Sequence, residues 1–170
     1  MKFSKEFDDL VKNSRETAVE FGWNFISSYH FLIGILKSDN LPNRIFKTKK
    51  WEFEQLSKSL IKKKSEAVDG NYYLTKELET SIKNAKFYSW IYGATEIKPE
   101  HLMFAMLADK KSDAGNYLNS VGMDYSEFKS ELESIKQLKA NIFLESIGKN
   151  NLAVQIGIPK LINKLIKNVA

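Results

Sequence analysis

The chain has 170 residues, of which 43% are hydrophobic and 28% are charged, and its formal net charge is +5. This composition supplies enough apolar side chains for one or two folded domains and excludes a chain that is disordered throughout. No run of about 20 apolar residues predicts a membrane-spanning helix, and the charged N-terminus predicts no signal peptide. The absence of cysteine excludes disulfides, thiolate metal sites and a cysteine nucleophile.

Four helices are predicted in the first part of the chain. Apolar residues at helical spacing follow Ser4, a residue type that caps helix N-termini, and the pattern stops at Gly22, which suits a helix C-terminus. The next helix begins near Ser28 and is so apolar that it should be buried on most sides. Two further helices are predicted at 43–47 and at 51–64.

The following part of the chain predicts the same order of helices. A polar linker at 65–71 precedes a long helix that Thr75 caps. Pro99 suits the first turn of a second, strongly apolar helix. Two shorter helices are predicted at 113–120 and 124–135.

These two parts are copies of one sequence unit. An offset of 71 residues aligns Lys5-Glu6 with Lys76-Glu77, Gly22 with Gly93, Ile26 with Ile97 and His30 with His101, and an offset of 72 continues the match from Phe46 with Leu118 to Leu60 with Leu132. Repeat 1 covers about 3–64 and repeat 2 about 74–135. The predicted fold is all-α: two tandem four-helix repeats with pseudo-twofold symmetry form a body at 1–135, and a C-terminal helical extension follows at 136–170.

The order of these features resembles the double-repeat N-terminal domain of the Clp/Hsp100 unfoldases. The resemblance covers 3–135 and rests on residues 24–36 in repeat 1 and 97–102 in repeat 2, where the family often has Thr-Glu-His. It implies an all-α domain that is not an enzyme and that captures substrates or adaptor proteins for an unfolding ring. No Gly-x-x-x-x-Gly-Lys-Ser/Thr phosphate loop is present, so we expect a stand-alone Clp N-terminal domain in the cytoplasm.

The resemblance also implies residues that bind a partner. Family members recognise adaptor loops or phosphorylated arginine through the Ser or Thr that opens each repeat and the acidic residue of Thr-Glu-His. The corresponding residues here are Ser4, Thr75 and Glu100. The acidic position of repeat 1 is Tyr29, so half of a symmetric guanidinium site lacks its carboxylate, and binding of phosphoarginine stays open. The alternative is that Ser4 and Thr75 are plain helix N-caps.

A groove between the first helices of the two repeats is the predicted peptide or adaptor site. Phe3 and Leu74 flank this groove. Exposed aromatic side chains dominate the energetics of many interfaces, and Trp23, Tyr72 and Tyr73 are the predicted aromatic contacts with a partner.

His30 and His101 are the only two histidines, and they occupy equivalent positions near the starts of buried helices. There an imidazole can bond to backbone groups that the helix end leaves unpaired. A zinc site needs three or four convergent ligands, and no nearby carboxylate pattern supplies them. Acidic residues in the first turns, such as Asp8 and Glu77, are expected to complement the helix dipole. We therefore predict no catalytic residue, no metal site and no cofactor.

The C-terminal extension carries the whole excess of positive charge. Residues 136–170 contain six lysines and one glutamate, so the preceding body is neutral, which argues against nucleic acid as the main ligand. The spacing predicts a helix at 138–147 that ends at Gly148, and Pro159 suits the start of a last, basic helix. The apolar stripe of that last helix consists of Leu161, Ile162, Leu165, Ile166 and Val169.

Three roles are open for this stripe: it packs on the body, docks on a partner such as a Clp ring or a homologous subunit, or binds an anionic membrane surface. The function that the sequence favours is a non-enzymatic protein-interaction module of proteostasis, with a Clp unfoldase, an adaptor or a substrate as its partner. One alternative is a structural or regulatory subunit of another assembly, such as a contractile-sheath-related system. Another is a peripheral membrane protein that binds through the tail. The oligomeric state stays open.

Overall fold

The computed structural model describes residues 2–49 and 72–150, and the chain divides into two units, Met1–Phe128 and Lys129–Ala170. Repeat 1 contains strand β1 (Lys2–Phe3), helix α1 (Lys5–Glu20), strand β2 (Phe25–Ile26), helix α2 (Ser28–Lys37) and helix α3 (Leu41–Thr48). Repeat 2 contains strand β3 (Tyr73–Leu74), helix α4 (Lys76–Ile91), strand β4 (Glu96–Ile97), helix α5 (Pro99–Ala108), helix α6 (Asp113–Ser120) and helix α7 (Tyr125–Asn150). The all-α prediction is confirmed; the helix predicted at 51–64 lies outside the described residues.

Helix α7 is longer than the sequence pattern predicts. It begins at Tyr125, as expected, but it does not end near residue 135; it continues to Asn150 and includes the segment that was predicted as a separate helix at 138–147. No proline or glycine interrupts the chain between 125 and 147, so nothing in this stretch breaks the backbone hydrogen bonding. Gly148, the predicted end, lies inside the helix. The predicted domain boundary at 135 therefore falls within a continuous helix.

Two short parallel strand pairs join the repeats. Phe3 of β1 pairs with Ile97 of β4, and Ile26 of β2 pairs with Leu74 of β3. The offset of 71 residues converts the first pair into the second, so the two pairs are related by the pseudo-twofold symmetry of the repeats. The sequence did not predict these strands, because each has only two residues and its partner is distant in the chain.

The C-terminal ends of α1 and α4 follow the sequence signals closely. Helix α1 ends before Gly22 and α4 ends before Gly93, and both glycines have positive φ angles, of 70° and 61°. These left-handed conformations strain residues that carry a Cβ. The N–H groups of Gly22 and Gly93 donate to the carbonyl oxygens of Val19 and Trp90, each at 3.0 Å, and so close the last turn of each helix.

The core is formed around the two strongly apolar helices. Helix α1 packs against α2, and α4 packs against α5; across the repeats, α2 contacts α6 and α3 contacts α5. In repeat 2 the fully buried Phe104 of α5 is surrounded by other aromatic rings. Its partners, with distances between ring centroids, are Tyr92 at 4.8 Å, Phe128 at 5.0 Å, Tyr125 at 5.1 Å and Tyr88 at 5.7 Å. Burial, with Tyr125 as a lesser cause, raises the pKa of Tyr88.

The two histidines bond to the backbone at the starts of these apolar helices. Nδ1 of His30 accepts a hydrogen bond from the Ser27 N–H at 3.0 Å, and Nδ1 of His101 accepts one from the Lys98 N–H at 2.9 Å. Each ring occupies the third position of its helix and reaches back to the capping residue, the arrangement that Glu or Gln makes in a capping box. The structural interpretation of His30 and His101 is therefore confirmed.

Stability should fall as His30 becomes protonated. Burial lowers the pKa of His30 from 6.5 to about 4. The unfolded chain therefore binds a proton at a higher pH than the folded chain does, and stability is lost as the pH falls from 6.5 towards 4. We expect the free energy of unfolding to decrease by about 2 kcal/mol between pH 7 and pH 5 on this account. Urea unfolding at both pH values measures the decrease.

The matched control is His30→Gln, because glutamine can also accept the Ser27 N–H but does not titrate. This variant should lack the His30 part of the pH dependence. An equal loss of stability in both proteins between pH 7 and pH 5 would contradict the assignment to His30.

Candidate functional site

The predicted site residues lie where the repeats are joined. The backbone N–H of Ser4 donates to the carbonyl oxygen of Ile97 at 2.9 Å, and the N–H of Thr75 donates to that of Ile26, also at 2.9 Å. Ser4 of repeat 1 is thereby held beside the strand that leads into α5 and Glu100. Thr75 of repeat 2 is held beside the strand that leads into α2. The start of each repeat thus lies next to the helix turn of the other.

Ser4 and Thr75 use their hydroxyl groups differently. Ser4 is buried, and its Oγ accepts the N–H of Phe7 at 3.3 Å, so Ser4 acts as an N-cap of α1. Thr75 occupies the N-cap position of α4, but its side chain makes no capping bond. Its Oγ1 instead donates to Oε1 of Glu77 at 2.9 Å. The N-cap interpretation is confirmed for the Ser4 side chain, whereas the Thr75 side chain orients a carboxylate.

Glu77 connects the two repeats, a role that its sequence position did not predict. Its Oε1 also accepts the backbone N–H of Ser28 at 2.9 Å, and a carboxylate is favourable at the N-terminus of a helix such as α2. Its Oε2 is buried and accepts no hydrogen bond from the described residues. The symmetric arrangement does not exist, because Pro99 replaces Ser28 and has no N–H, and the counterpart Glu6 is exposed. The sequence contains a signal for this difference, because the repeat offset aligns Ser28, which has a backbone N–H, with Pro99, which has none.

Tyr29 takes the position in repeat 1 that Glu100 takes in repeat 2, and acidic groups lie near its phenol. Burial raises the pKa of Tyr29, and Asp113, Glu77 and Tyr117 raise it further, in that order. The phenol therefore stays protonated at neutral pH and can donate a hydrogen bond. Glu100 is buried in the first turn of α5. Repeat 1 thus has a neutral hydroxyl at this position, with carboxylates supplied by Glu77 and Asp113.

Apolar side chains are exposed at both ends of this region. Phe3 is 42% exposed and Leu74 is 37% exposed, and the two occupy equivalent positions on β1 and β3. Phe3 stacks on Phe7 with 4.5 Å between ring centroids. Tyr73 is exposed, as predicted, whereas Trp23 is partly buried and its ring packs against those of Phe25 and His30. The groove flanked by Phe3 and Leu74 stays a prediction.

The tail stripe predicted at Leu161, Ile162, Leu165, Ile166 and Val169 lies outside the described residues. Among the residues that are described, no group of three or more histidine or acidic side chains could hold a metal ion. In the same residues, no helix is both long enough and apolar enough to cross a membrane.

Comparison with known proteins identifies the family. The family model of the Clp repeat N-terminal domain matches residues 2–121 and also residues 73–141. No curated protein matches the chain. Among solved structures, the N-terminal domain of Hsp104 from Candida albicans is 14% identical, with a TM-score of 0.65 over 80% of this chain and 92% of that one.

Two further structures have the same fold. The N-domain of ClpV from Vibrio cholerae is 15% identical, with a TM-score of 0.65 over 79% of this chain and 84% of that one. The N-terminal domain of the chaperone ClpD from Arabidopsis thaliana is 16% identical, with a TM-score of 0.55 over 81% of this chain and 95% of that one. With a family model matching most of its length and both repeats present in the fold, the chain belongs to the Clp N-terminal-domain family.

Proposed function

We propose that the chain is a non-enzymatic protein-binding module of cytoplasmic proteostasis that captures a substrate, an adaptor or a component of the Clp machinery. One observation carries this proposal: both repeats hold an apolar side chain, Phe3 or Leu74, more than one third exposed at equivalent positions where the repeats join. An exposed apolar residue is ordinary by itself, but exposure at both symmetric positions favours a surface that a partner covers.

The polar groups beside these side chains support the binding of a peptide. The strands β1 and β3 are tied to the opposite repeat by backbone hydrogen bonds, which fix Phe3 and Leu74 on a rigid base. Glu77 and Asp113 contribute to the raised pKa of Tyr29, whose phenol therefore stays neutral and can donate a hydrogen bond to the partner. The proposed partner segment therefore combines an apolar side chain with a hydrogen-bond acceptor. Among the solved domains of this fold, that of ClpD belongs to a chaperone, which makes a proteostasis partner the leading expectation.

The test is affinity capture with the full chain from its native lysate, read by mass spectrometry, followed by titration with the purified partner. We expect a Clp unfoldase, peptidase or adaptor to be recovered by the unmodified chain and at least tenfold weaker binding by Phe3→Ser/Leu74→Ser. The matched control is Val121→Ser, an equally exposed apolar residue away from the strands. The proposal fails if no proteostasis protein is recovered, or if the double variant binds the recovered partner as tightly as the control does.

A further inference from the structure

The groove between the first two helices of each repeat is bridged in repeat 1 and open in repeat 2. In repeat 1, Nδ2 of Asn13 on α1 donates to Oγ of Ser38 at 2.7 Å, directly after α2. The ammonium of Lys37 on α2 also pairs with Oε2 of Glu20 on α1 at 2.9 Å. Two polar links therefore join α1 to the C-terminal end of α2.

Repeat 2 has different residues at all but one of these positions. Asn84 and Asp109 correspond to Asn13 and Ser38, and in the described part of the chain no hydrogen bond joins the two side chains. The counterparts of Glu20 and Lys37 are Ile91 and Ala108, which cannot form an ion pair. A groove with a volume of about 620 Å³ lies between α4 and α5, and Asn84, Asp109 and Ala108 are among the residues that line it.

The two repeats also differ at a glycine on the second helix. Gly34 of α2 faces α1, and a Cβ added there would lie 2.9 Å from the carbonyl oxygen of Leu10. Its counterpart in repeat 2 is Ala105, which is one of the residues that line the groove.

The outer face of α4 continues the groove as an apolar stripe. Phe87, Trp90 and Ile91 have helical spacing and are 58%, 59% and 51% exposed. Their counterparts on α1 are Glu16, Val19 and Glu20, and both glutamates form ion pairs with lysines. Because two of the three equivalent positions in repeat 1 carry glutamates, the fold does not require apolar residues at Phe87 and Ile91. The stripe is therefore available for a partner.

The charges beside the stripe are basic. From Lys83 to its C-terminal end, α4 carries Lys83 and Lys86 and no acidic residue, and the Lys86 ammonium lies 5.2 Å from the centre of the Trp90 ring. Lys111 lines the groove as well. The acidic residues of the groove, Glu77 and Asp109, already accept hydrogen bonds from backbone N–H groups. A partner with apolar and acidic side chains complements this face, whereas a symmetric contact between two copies of α4 would place lysines against lysines.

We propose that the α4–α5 groove and the stripe of Phe87, Trp90 and Ile91 bind an acidic amphipathic helix of a partner protein. Helix α4 has 16 residues, so a partner helix of about the same number of residues can lie along it, roughly 24 Å in length. Its apolar face covers the stripe, and its acidic flank lies against Lys83 and Lys86. Glu77 lines this groove and also belongs to the site around Phe3 and Leu74, but the stripe and its lysines do not, so the inference does not rest on that function.

The test uses two synthetic 16-residue helical peptides with the same leucine stripe, one with glutamates on its flanks and one with lysines. Fluorescence anisotropy of the labelled peptides measures binding to the full chain. We expect the acidic peptide to bind at least tenfold more tightly than the basic one and to weaken as salt is raised. The variant Phe87→Glu/Ile91→Glu, which installs the residues of repeat 1, should reduce the affinity at least tenfold.

Two control variants show whether the peptide binds at the stripe on α4. Val19→Glu, at the position on α1 equivalent to Trp90, and Phe3→Ser/Leu74→Ser should both leave peptide binding unchanged, and circular dichroism should show that every variant is folded. The proposal is overturned if neither peptide binds, if both bind equally, or if Phe87→Glu/Ile91→Glu binds normally. Sedimentation that reveals a dimer abolished by Phe87→Glu/Ile91→Glu would assign the surface to a second copy and overturn it too.

Discussion

Replacement of Phe104 by alanine should lower the free energy of unfolding by about 4 kcal/mol, because a fully buried aromatic side chain is removed from the centre of repeat 2. The ring contacts four other aromatic rings, which lie on helix α4, directly after α4 and on helix α7, so no single neighbour can move to fill the space. Denaturant unfolding monitored by circular dichroism measures the change.

The matched control for Phe104→Ala is Phe87→Ala. Phe87 is an aromatic residue of the same repeat but is more than half exposed, so its removal should change the stability by less than about 0.5 kcal/mol. Similar losses in the two variants would mean that the ring cluster around Phe104 does not hold repeat 2 together.

Gly115→Ala should lower the free energy of unfolding by about 3 kcal/mol. Gly115 lies in the first turn of α6, and an added Cβ would lie 2.7 Å from the carbonyl carbon of Met106 and still closer to its oxygen. Because these are backbone atoms of α5, the two helices must separate to admit a methyl group. Thermal and denaturant unfolding of the full chain measures the loss.

The sign of the Gly115→Ala result is informative, because helix propensity alone favours alanine over glycine by about 1 kcal/mol. Gly93→Ala is the matched control: Gly93 has a positive φ, but nothing lies within 4 Å of an added Cβ. The free energy of unfolding of that variant should fall by only about 1 kcal/mol, because alanine is strained at a positive φ. Stabilisation by Gly115→Ala would contradict the close packing of α5 and α6.

The duplication gives an internal standard for separating the residues that the fold requires from those that it does not. His30 and His101 make the same bond to the backbone in both repeats, so that bond belongs to the fold. Glu77 and the apolar stripe on α4 have no counterpart with the same role. Such departures from symmetry are the positions where a partner can be recognised, because the other copy folds without them.

The helix prediction was accurate wherever local signals were strong. The capping residue Ser4 and the terminating Gly22 set the ends of α1, and the apolar run in α2 predicted a buried helix. The interpretation of the histidines also followed from sequence, because the third position of a helix is close to its own N-cap. The end of α7 was missed, since a continuous apolar pattern gives no signal at residue 135.

Local signals in the sequence were enough to predict the repeat, the helical class and most helix boundaries, because caps, glycines and apolar periodicity act over a few neighbouring residues. Tertiary packing was needed to establish that β1 pairs with β4 and β2 with β3, that Glu77 bonds to Ser28, and that the groove of repeat 2 is open. Each of these depends on residues that are far apart in the chain. Their contacts arise from the packing of helices and repeats on one another, and no local pattern encodes that packing.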